Sequence, residues 1–303
     1  MSHPLLSNLA CRLVRLAALG AVLLAMSARP VAGQAPAAPV EVVVRAAAAL
    51  PAAEPDAAEW SQALAAKVPL MVQDVTEPKL LTPGVAEVEV RALHDGRSIA
   101  FLLEWTDATE NRLIAATRFS DAAAIQLPVT PGPDVPAATM GQTGGPVELH
   151  LWKAAWQDAA DGVAFTPKTL FPNMYYDHYS DEVAPKAVAG EIATRLMPAR
   201  AAANPNLTHH TTGTVPVQDL VAEGFGSATA LTPSRSTGKA RYRDGRWHLA
   251  ISRPLAPASE GAPAMAPGHR TYVAFAVWDG ALAQAGARKM RSGWVPLALE
   301  ARP

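Results

Sequence analysis

Met140 stands in Thr139-Met140-Gly141, after a proline-rich stretch and beside three glycines, Gly141, Gly144 and Gly145, that let backbone approach a neighbour closely. Its thioether is a soft donor that favours ferrous over ferric iron. Lys289 stands about half the chain away, in Arg288-Lys289-Met290-Arg291, between Trp278-Asp279-Gly280 and Trp294. An amine ligates a metal only when neutral, so its ordinary pKa of about 10.4 must first be lowered by burial or by the metal itself. Each residue also has a plainer role, Met140 as a gap filler in a core and Lys289 as part of an exposed basic turn. Met290 is a second soft donor one residue on, although in an extended segment 289 and 290 face opposite ways.

Other reactive residue types are present without a diagnostic spacing. His178 lies in a tyrosine-rich stretch with Tyr175, Tyr176 and Tyr179, and His209 and His210 are paired in a polar segment. No His-x-His or His-Glu-x-x-His spacing points to zinc or copper. There is no Gly-x-Ser-x-Gly elbow, dinucleotide fingerprint or P-loop. Asp107, Glu110 and Asp121 flank strand-like runs, where capping and turn roles suit them better than a catalytic carboxylate pair.

The elements that must position these residues read as β-structure. Residues 85–93 alternate, with Val88 and Val90 between Glu87, Glu89 and Arg91, and His94-Asp95-Gly96-Arg97 turns the chain into a return strand at 98–105. A second Asp-Gly pair, Asp244-Gly245, joins 238–243 to 246–253. Residues 147–152 alternate again, Val147, Leu149 and Leu151 on one face and Glu148, His150 and Trp152 on the other. An apolar strand at 270–278 and a last one at 294–299 follow, while the alanine-rich 46–66 suits short helices. The expected fold is mainly β, an antiparallel β-sandwich with long irregular loops and a few short helices. Residues 154–215, with Pro167, Pro172, Pro185, Pro198 and Pro205, form an elaborated loop of the same domain.

Composition narrows the class. Residues 1–15 carry Arg12 and Arg15, 16–28 are almost wholly apolar, and Val31-Ala32-Gly33 gives small residues at a cleavage site before Gln34. This is the pattern of a secretory signal peptide over residues 1–33, leaving 34–303 as a single domain. Removing 1–33 takes away three arginines and no acid, so 26 Lys and Arg become 23 against 27 Asp and Glu, a net charge of −4. That balance gives no footing for nucleic acid. The one cysteine, Cys11, leaves with the signal, which excludes disulfides, iron–sulfur clusters and covalent haem attachment from the remainder. No later apolar run approaches the length of a membrane span, so the expected location is the periplasm.

In order along the chain, Glu104-Trp105-Thr106-Asp107-Ala108-Thr109, the segment 119–128, Met140-Gly141, Pro146-Val147-Glu148-Leu149-His150-Leu151-Trp152-Lys153-Ala154, Phe171-Pro172-Asn173-Met174-Tyr175, Ala222-Glu223-Gly224-Phe225-Gly226, Gly245-Arg246-Trp247-His248-Leu249 and Phe275-Ala276-Val277-Trp278-Asp279-Gly280 form a set. Over residues 85–299 that set resembles the haem b-binding gamma subunit of the type II dimethyl sulfoxide reductase group of molybdenum enzymes. The group includes ethylbenzene and dimethyl sulfide dehydrogenases, chlorate and selenate reductases, and nitrite oxidoreductase.

The resemblance implies a β-sandwich that holds one non-covalent haem b between an axial methionine and an axial lysine. The positions that match are Met140 and Lys289, with Met290 as the rival to Lys289. It further implies an electron-transfer subunit and no catalyst. The implied partners are an iron–sulfur subunit, a molybdopterin catalytic subunit and a soluble carrier such as a c-type cytochrome. Two other classes stay open on the residues alone. One is a haem-free carbohydrate-binding module, with Trp152, Trp156 and the tyrosines as a sugar platform. The other is a free-standing haem b carrier or sensor.

Overall fold

Two Asp-Gly turns build the hairpins from which the sheet grows. The computed structural model describes residues 40–51, 53–114, 117–163, 173, 216–257 and 264–301. The signal segment 1–33, the tyrosines 175, 176 and 179, His178, His209 and His210, and most of the 154–215 loop lie outside these residues. Residues Val40–Pro303 cluster as one unit.

In chain order the elements begin with β1 (Val42–Ala46), a 3-10 turn (Ala58–Gln62), β2 (Ala66–Pro69), β3 (Met71–Val72), β4 (Glu87–His94), β5 (Ser98–Thr106) and β6 (Ala122–Pro128). Next are β7 (Val147–Lys153), α1 (Ala154–Ala160), β8 (Val217–Ala222) and β9 (Thr229–Ala230). The chain ends with β10 (Thr237–Arg243), β11 (Arg246–Pro254), β12 (Arg270–Trp278), β13 (Met290–Arg291) and β14 (Val295–Leu299).

At the first turn Gly96 takes φ 82°, and Asp95 Oδ1 accepts from Arg97 and Ser98 N–H at 2.8 and 2.7 Å. At the second, Asp244 and Gly245 take φ 52° and 71°, the paired left-handed conformation that a two-residue hairpin turn requires. The fold is mainly β, as expected. It is not purely antiparallel, because β1 pairs parallel with both β14 and β4.

One path of pairing runs β10-β11-β5-β4-β1-β14-β12-β6-β7-β8-β9. Its two halves fold face to face. Trp105 of β5 and Trp247 of β11 meet Trp152 of β7 at ring centroid distances of 6.3 and 5.1 Å, although those strands are far apart along the path. Phe101 of β5 likewise meets Phe275 of β12 at 6.5 Å. Each such edge-on pair contributes about 1 kcal/mol beyond the apolar area it buries. The other face of β4, β5 and β11 packs Leu93, Ala100, Leu102 and Ala250 under Trp60 of the 3-10 turn.

The hinge between the halves is β12. Its first residues pair with β14 (Val273↔Val295) and its last with β6 (Trp278↔Ala122) and β13 (Ala276↔Arg291, Val277↔Met290). Three residues, 292–294, stand opposite the two on β12 between these ladders, which is a β-bulge. Ser292 mends the break, its N–H donating to Phe275 O and its Oγ accepting from Phe275 N–H, both at 2.9 Å. Beyond the bulge the chain forks, β14 joining β1 while β13 joins β3.

Candidate functional site: an apolar cavity on the outer sheet face

The alternation in β7 is as the sequence indicates, but its sense is the reverse of the usual one. Glu148, His150 and Trp152 point into the sandwich and are all buried, while Leu149 and Leu151 line a cavity of about 520 Å³ on the opposite face. The same parity holds across the neighbouring strands. Ala124 and Gln126 of β6, Leu220 of β8, and Ala274, Ala276 and Trp278 of β12 complete the cavity floor. Valine, isoleucine or phenylalanine occupies the inward positions Ile125, Val273, Phe275 and Val277. A floor of alanines flanked by leucines is recessed and apolar, and its size falls in the range of cofactor pockets.

The inward polar groups of β7 find partners inside the sandwich, His150 Nε2 excepted, which is buried without one among the described residues. Glu148 pairs with Arg253 at 3.0 Å. His150 Nδ1 lies 2.8 Å from Asp219 Oδ1 and 2.9 Å from Ser236 Oγ. Burial pushes the His150 imidazole down. Burial would raise Asp219, but its bonds from His150, Ser236 and Arg235 outweigh that and hold it well below the usual carboxylate range. Serine and aspartate share one imidazole nitrogen here, so these residues are not arranged as a nucleophilic triad.

Met140 lines the cavity from a turn that is bound on several sides. Gln126 Nε2 donates to Ala138 O at 3.0 Å, Gly141 N to Ala137 O at 2.9 Å, and Gly224 N to Met140 O at 2.8 Å. Gly141 has φ 77°, and a Cβ there would come within 2.7 Å of Gly145 O and 2.9 Å of Ala222 O. Met140 itself has φ 69°, a left-handed conformation that costs an unbranched L-residue about 1–2 kcal/mol. Strain of this kind persists where the surroundings enforce it, and it aims the thioether.

Lys289 lines the same cavity from the side of β12 and β3. Its backbone carbonyl accepts from Gln73 N at 3.0 Å, and its Nζ lies 5.0 Å from the Trp278 ring centroid. Burial first, and the charge of Arg291 second, push the amine down to about 8. At pH 7 about one such amine in ten is neutral, against roughly one in three thousand at the ordinary value. Met290 takes the opposite face, as strand parity requires. It is buried in the sandwich core and its Sδ accepts from Gly84 N at 3.3 Å. Lys153 has an equally lowered pKa of about 8 through burial, but its Nζ lies 4.5 Å over the Trp156 ring, outside the cavity lining.

Asp107, Asp121 and Asp279 bring one carboxylate oxygen each within 4.8 Å of one another, a spacing that also suits a cation. Backbone and side-chain donors already reach each of them, although Asp107 Oδ2 is buried without a partner among the described residues. Asp121 accepts from Gly280 N at 2.8 Å, Asn111 N at 2.7 Å and Trp247 Nε1 at 3.0 Å, and Asp107 from Thr109 N at 3.1 Å. Burial raises Asp107 to about 6 and Asp121 to about 7. The expected turn roles therefore hold, and Asp121 ties down the Trp278-Asp279-Gly280 turn that leads to Lys289. Glu110 pairs with Arg112 at 2.6 Å.

Two members of the expected sugar platform are corrected by the structure: Trp152 and Trp156 are both 0% exposed, so neither can stack on a ligand from solvent, while Tyr175, Tyr176 and Tyr179 lie outside the described residues. Gln73 and Arg291, by contrast, line the cavity and were not singled out from the sequence. Arg291 was accessible by parity, two residues from Lys289 in an extended segment. Gln73 lies 216 positions before Lys289 in the chain and carries no local signal.

A family model described as ethylbenzene dehydrogenase matches residues 57–290. A Haloferax mediterranei protein with the provisional name respiratory nitrate reductase haem subunit is 25% identical over 242 residues, covering 80% of this chain and 66% of the relative. The chlorate reductase gamma subunit of Ideonella dechloratans is 26% identical over 235 residues, covering 76% of this chain and 72% of the relative. The chain thus spans just under two thirds of the first relative's length. Among solved structures, a carbohydrate binding module of family 9 from Caldicellulosiruptor kristjanssonii in complex with glucose is 8% identical, with 87% of this chain and 97% of that chain covered and a TM-score of 0.36. A likeness at that score carries no argument about ligand.

Proposed function

We propose, from the premise that this chain belongs to the ethylbenzene dehydrogenase family, that it is a haem-binding electron-transfer subunit of a molybdenum oxidoreductase complex. The observation that carries the reading is one cavity, apolar and on the outer sheet face, into which the structure brings both Met140 and Lys289. The donor set fits haem iron. A soft sulfur and an amine with a depressed pKa are paired with a flat apolar floor, and the rival donors Met290 and Lys153 face elsewhere.

Haem, when bound, supplies a one-electron carrier at its iron. The chain's own residues then have distinct tasks. The Met140 thioether favours the reduced iron and so raises the potential. Lys289 gives up its proton to become a donor, which burial among Trp278 and the 286–289 loop makes easier. Ala124, Ala274 and Ala276 leave room for a planar ring, and Leu149, Leu151 and Leu220 exclude water from it. A dry, stiff site of this kind limits the reorganisation that accompanies electron transfer.

The reading extends to one haem b, held without covalent attachment. It extends also to an iron–sulfur subunit and a molybdopterin catalytic subunit as partners, a soluble carrier as the exchange partner, and the periplasm as location after cleavage of residues 1–33. The gamma-subunit and haem-subunit names of the two relatives support the assembly, and the single cysteine at position 11 supports the non-covalent cofactor. Among the described residues no helix is long and apolar enough to cross a membrane.

The test is a visible spectrum of the haem-supplied protein. A low-spin b-type spectrum, with haem extracted fully by acid–acetone, is expected. Absence of a Soret band would sink the reading.

A further inference from the structure

Among the described residues, no acceptor lies within hydrogen-bond distance of the largely enclosed guanidinium of Arg291. Arg291 lies on β13, opposite Ala276 of β12 and Met71 of β3, and lines the cavity. Its Nε is buried and finds no hydrogen-bond partner. The nearest carboxylate oxygen, Asp74 Oδ1, is 3.8 Å from a terminal nitrogen, beyond hydrogen-bond length, on a side chain that is 67% exposed. Glu77 also lines the cavity, but it is 80% exposed and lies 3.9 Å from Lys79.

The other enclosed arginines of this fold are treated differently. Arg253 meets Glu148 at 3.0 Å, Arg112 meets Asp158 at 2.7 Å, and Arg91 meets Glu89 at 2.6 Å. Guanidinium presents five donors in a planar fork that matches a carboxylate. A charged donor withdrawn from water without an acceptor is costly, and native structures keep such groups where something else completes them.

We propose that Arg291 is a binding residue for a carboxylate of the cavity's occupant, which on the haem reading is a propionate. The inference rests on that reading and adds the orientation of the ligand. Lys289 and Arg291 share one face of an extended segment and stand about 7 Å apart along it. On the haem reading the amine would hold the iron and the guanidinium would hold a carboxylate of the same group. A carboxylate at Arg291 would also offset its positive charge beside Lys289, so the two cations need not face each other uncompensated.

The test titrates the haem-free full chain with haem b and with haem dimethyl ester, whose propionates cannot carry charge. Affinity and the low-spin spectrum are both read. Esterification is expected to weaken binding to the wild type about tenfold or more, the ratio that a lost charged hydrogen bond gives. Arg291→Gln should weaken haem b to a similar degree and discriminate between the two ligands less than about threefold. Arg291→Lys, which keeps charge but not the fork, should restore part of the discrimination. Equal affinity of the wild type for both ligands overturns the role of Arg291 and leaves the haem reading standing, as does full discrimination by Arg291→Gln. Failure of both ligands to give a low-spin spectrum in the wild type overturns the haem reading, and this inference with it.

Discussion

Gln73 and Lys289 are locked together through backbone and side chain. The Gln73 N–H donates to Lys289 O at 3.0 Å. Its Nε2 donates to Ala287 O at 3.0 Å and Thr76 O at 2.8 Å, and its Oε1 accepts from Val75 and Thr76 N–H at 2.7 and 2.9 Å. One buried amide thus holds the lysine loop to the strand beside it.

Gln73→Leu keeps the volume and removes all four side-chain bonds. Loss of about 2–3 kcal/mol of stability is expected, because Ala287 O and the 75–76 amides lose their buried partner. Denaturant unfolding measures this. Haem titration should show weakened low-spin character while Met140 is intact; an unchanged spectrum would separate Gln73 from the placement of Lys289.

On the proposed ligation, Lys289 should couple ligand binding to pH. Its amine titrates near 8 in the folded chain and near 10.4 unfolded, so ligation displaces a proton at neutral pH. Affinity for haem should rise about tenfold per pH unit from pH 6 to 8 and level off above. Lys289→Ala should abolish this slope. A flat profile in the wild type would argue against an amine ligand.

Met140 is expected to separate stability from function. Met140→Gly removes the left-handed strain and should stabilise the empty protein by about 1 kcal/mol, less the packing of the lost side chain. The same variant should lose the low-spin spectrum, and its reduction potential should fall. Circular dichroism melts and a redox titration read the two effects independently.

Asp121 gives the stability profile a sign that is unusual for a carboxylate. Its folded pKa of about 7 lies above the ordinary 3.8, so the folded state holds more protons than the unfolded state between those values. Its contribution is fully present below pH 4 and lost as pH rises through 7. Asp107, raised to about 6, acts in the same direction. Asp121→Asn should flatten this decline between pH 4 and 7, measured by urea unfolding across the range.

Much of the fold was legible because its strands obey simple chemistry. The Asp-Gly turns at 95–96 and 244–245 locate β4, β5, β10 and β11 to within two residues. β6 was not legible from pattern, since all of Ala122–Pro128 is buried on both faces and no alternation survives. The alanine-rich 46–66 holds, among the described residues, one short 3-10 helix and the start of β2, with Trp60 of that helix packed against the sheet. In β7 the period was legible and the direction was not. The inward side carries Glu148 and His150, whose partners Arg253 and Asp219 are remote in sequence.

Met140 and Lys289 were legible as donors, but only the fold shows them lining one cavity. Which of Lys289 and Met290 lines the cavity follows from which face of this edge looks outward, a question of pairing that local sequence does not contain.

The cavity lies on the reverse of a half-sheet whose other side is already sealed by Trp105, Trp152 and Trp247. The interior therefore does not wait for a guest. The two faces of this half-sheet thus divide the labour: substitutions on the inward face bear on folding, and those on the outward face on what the cavity can hold.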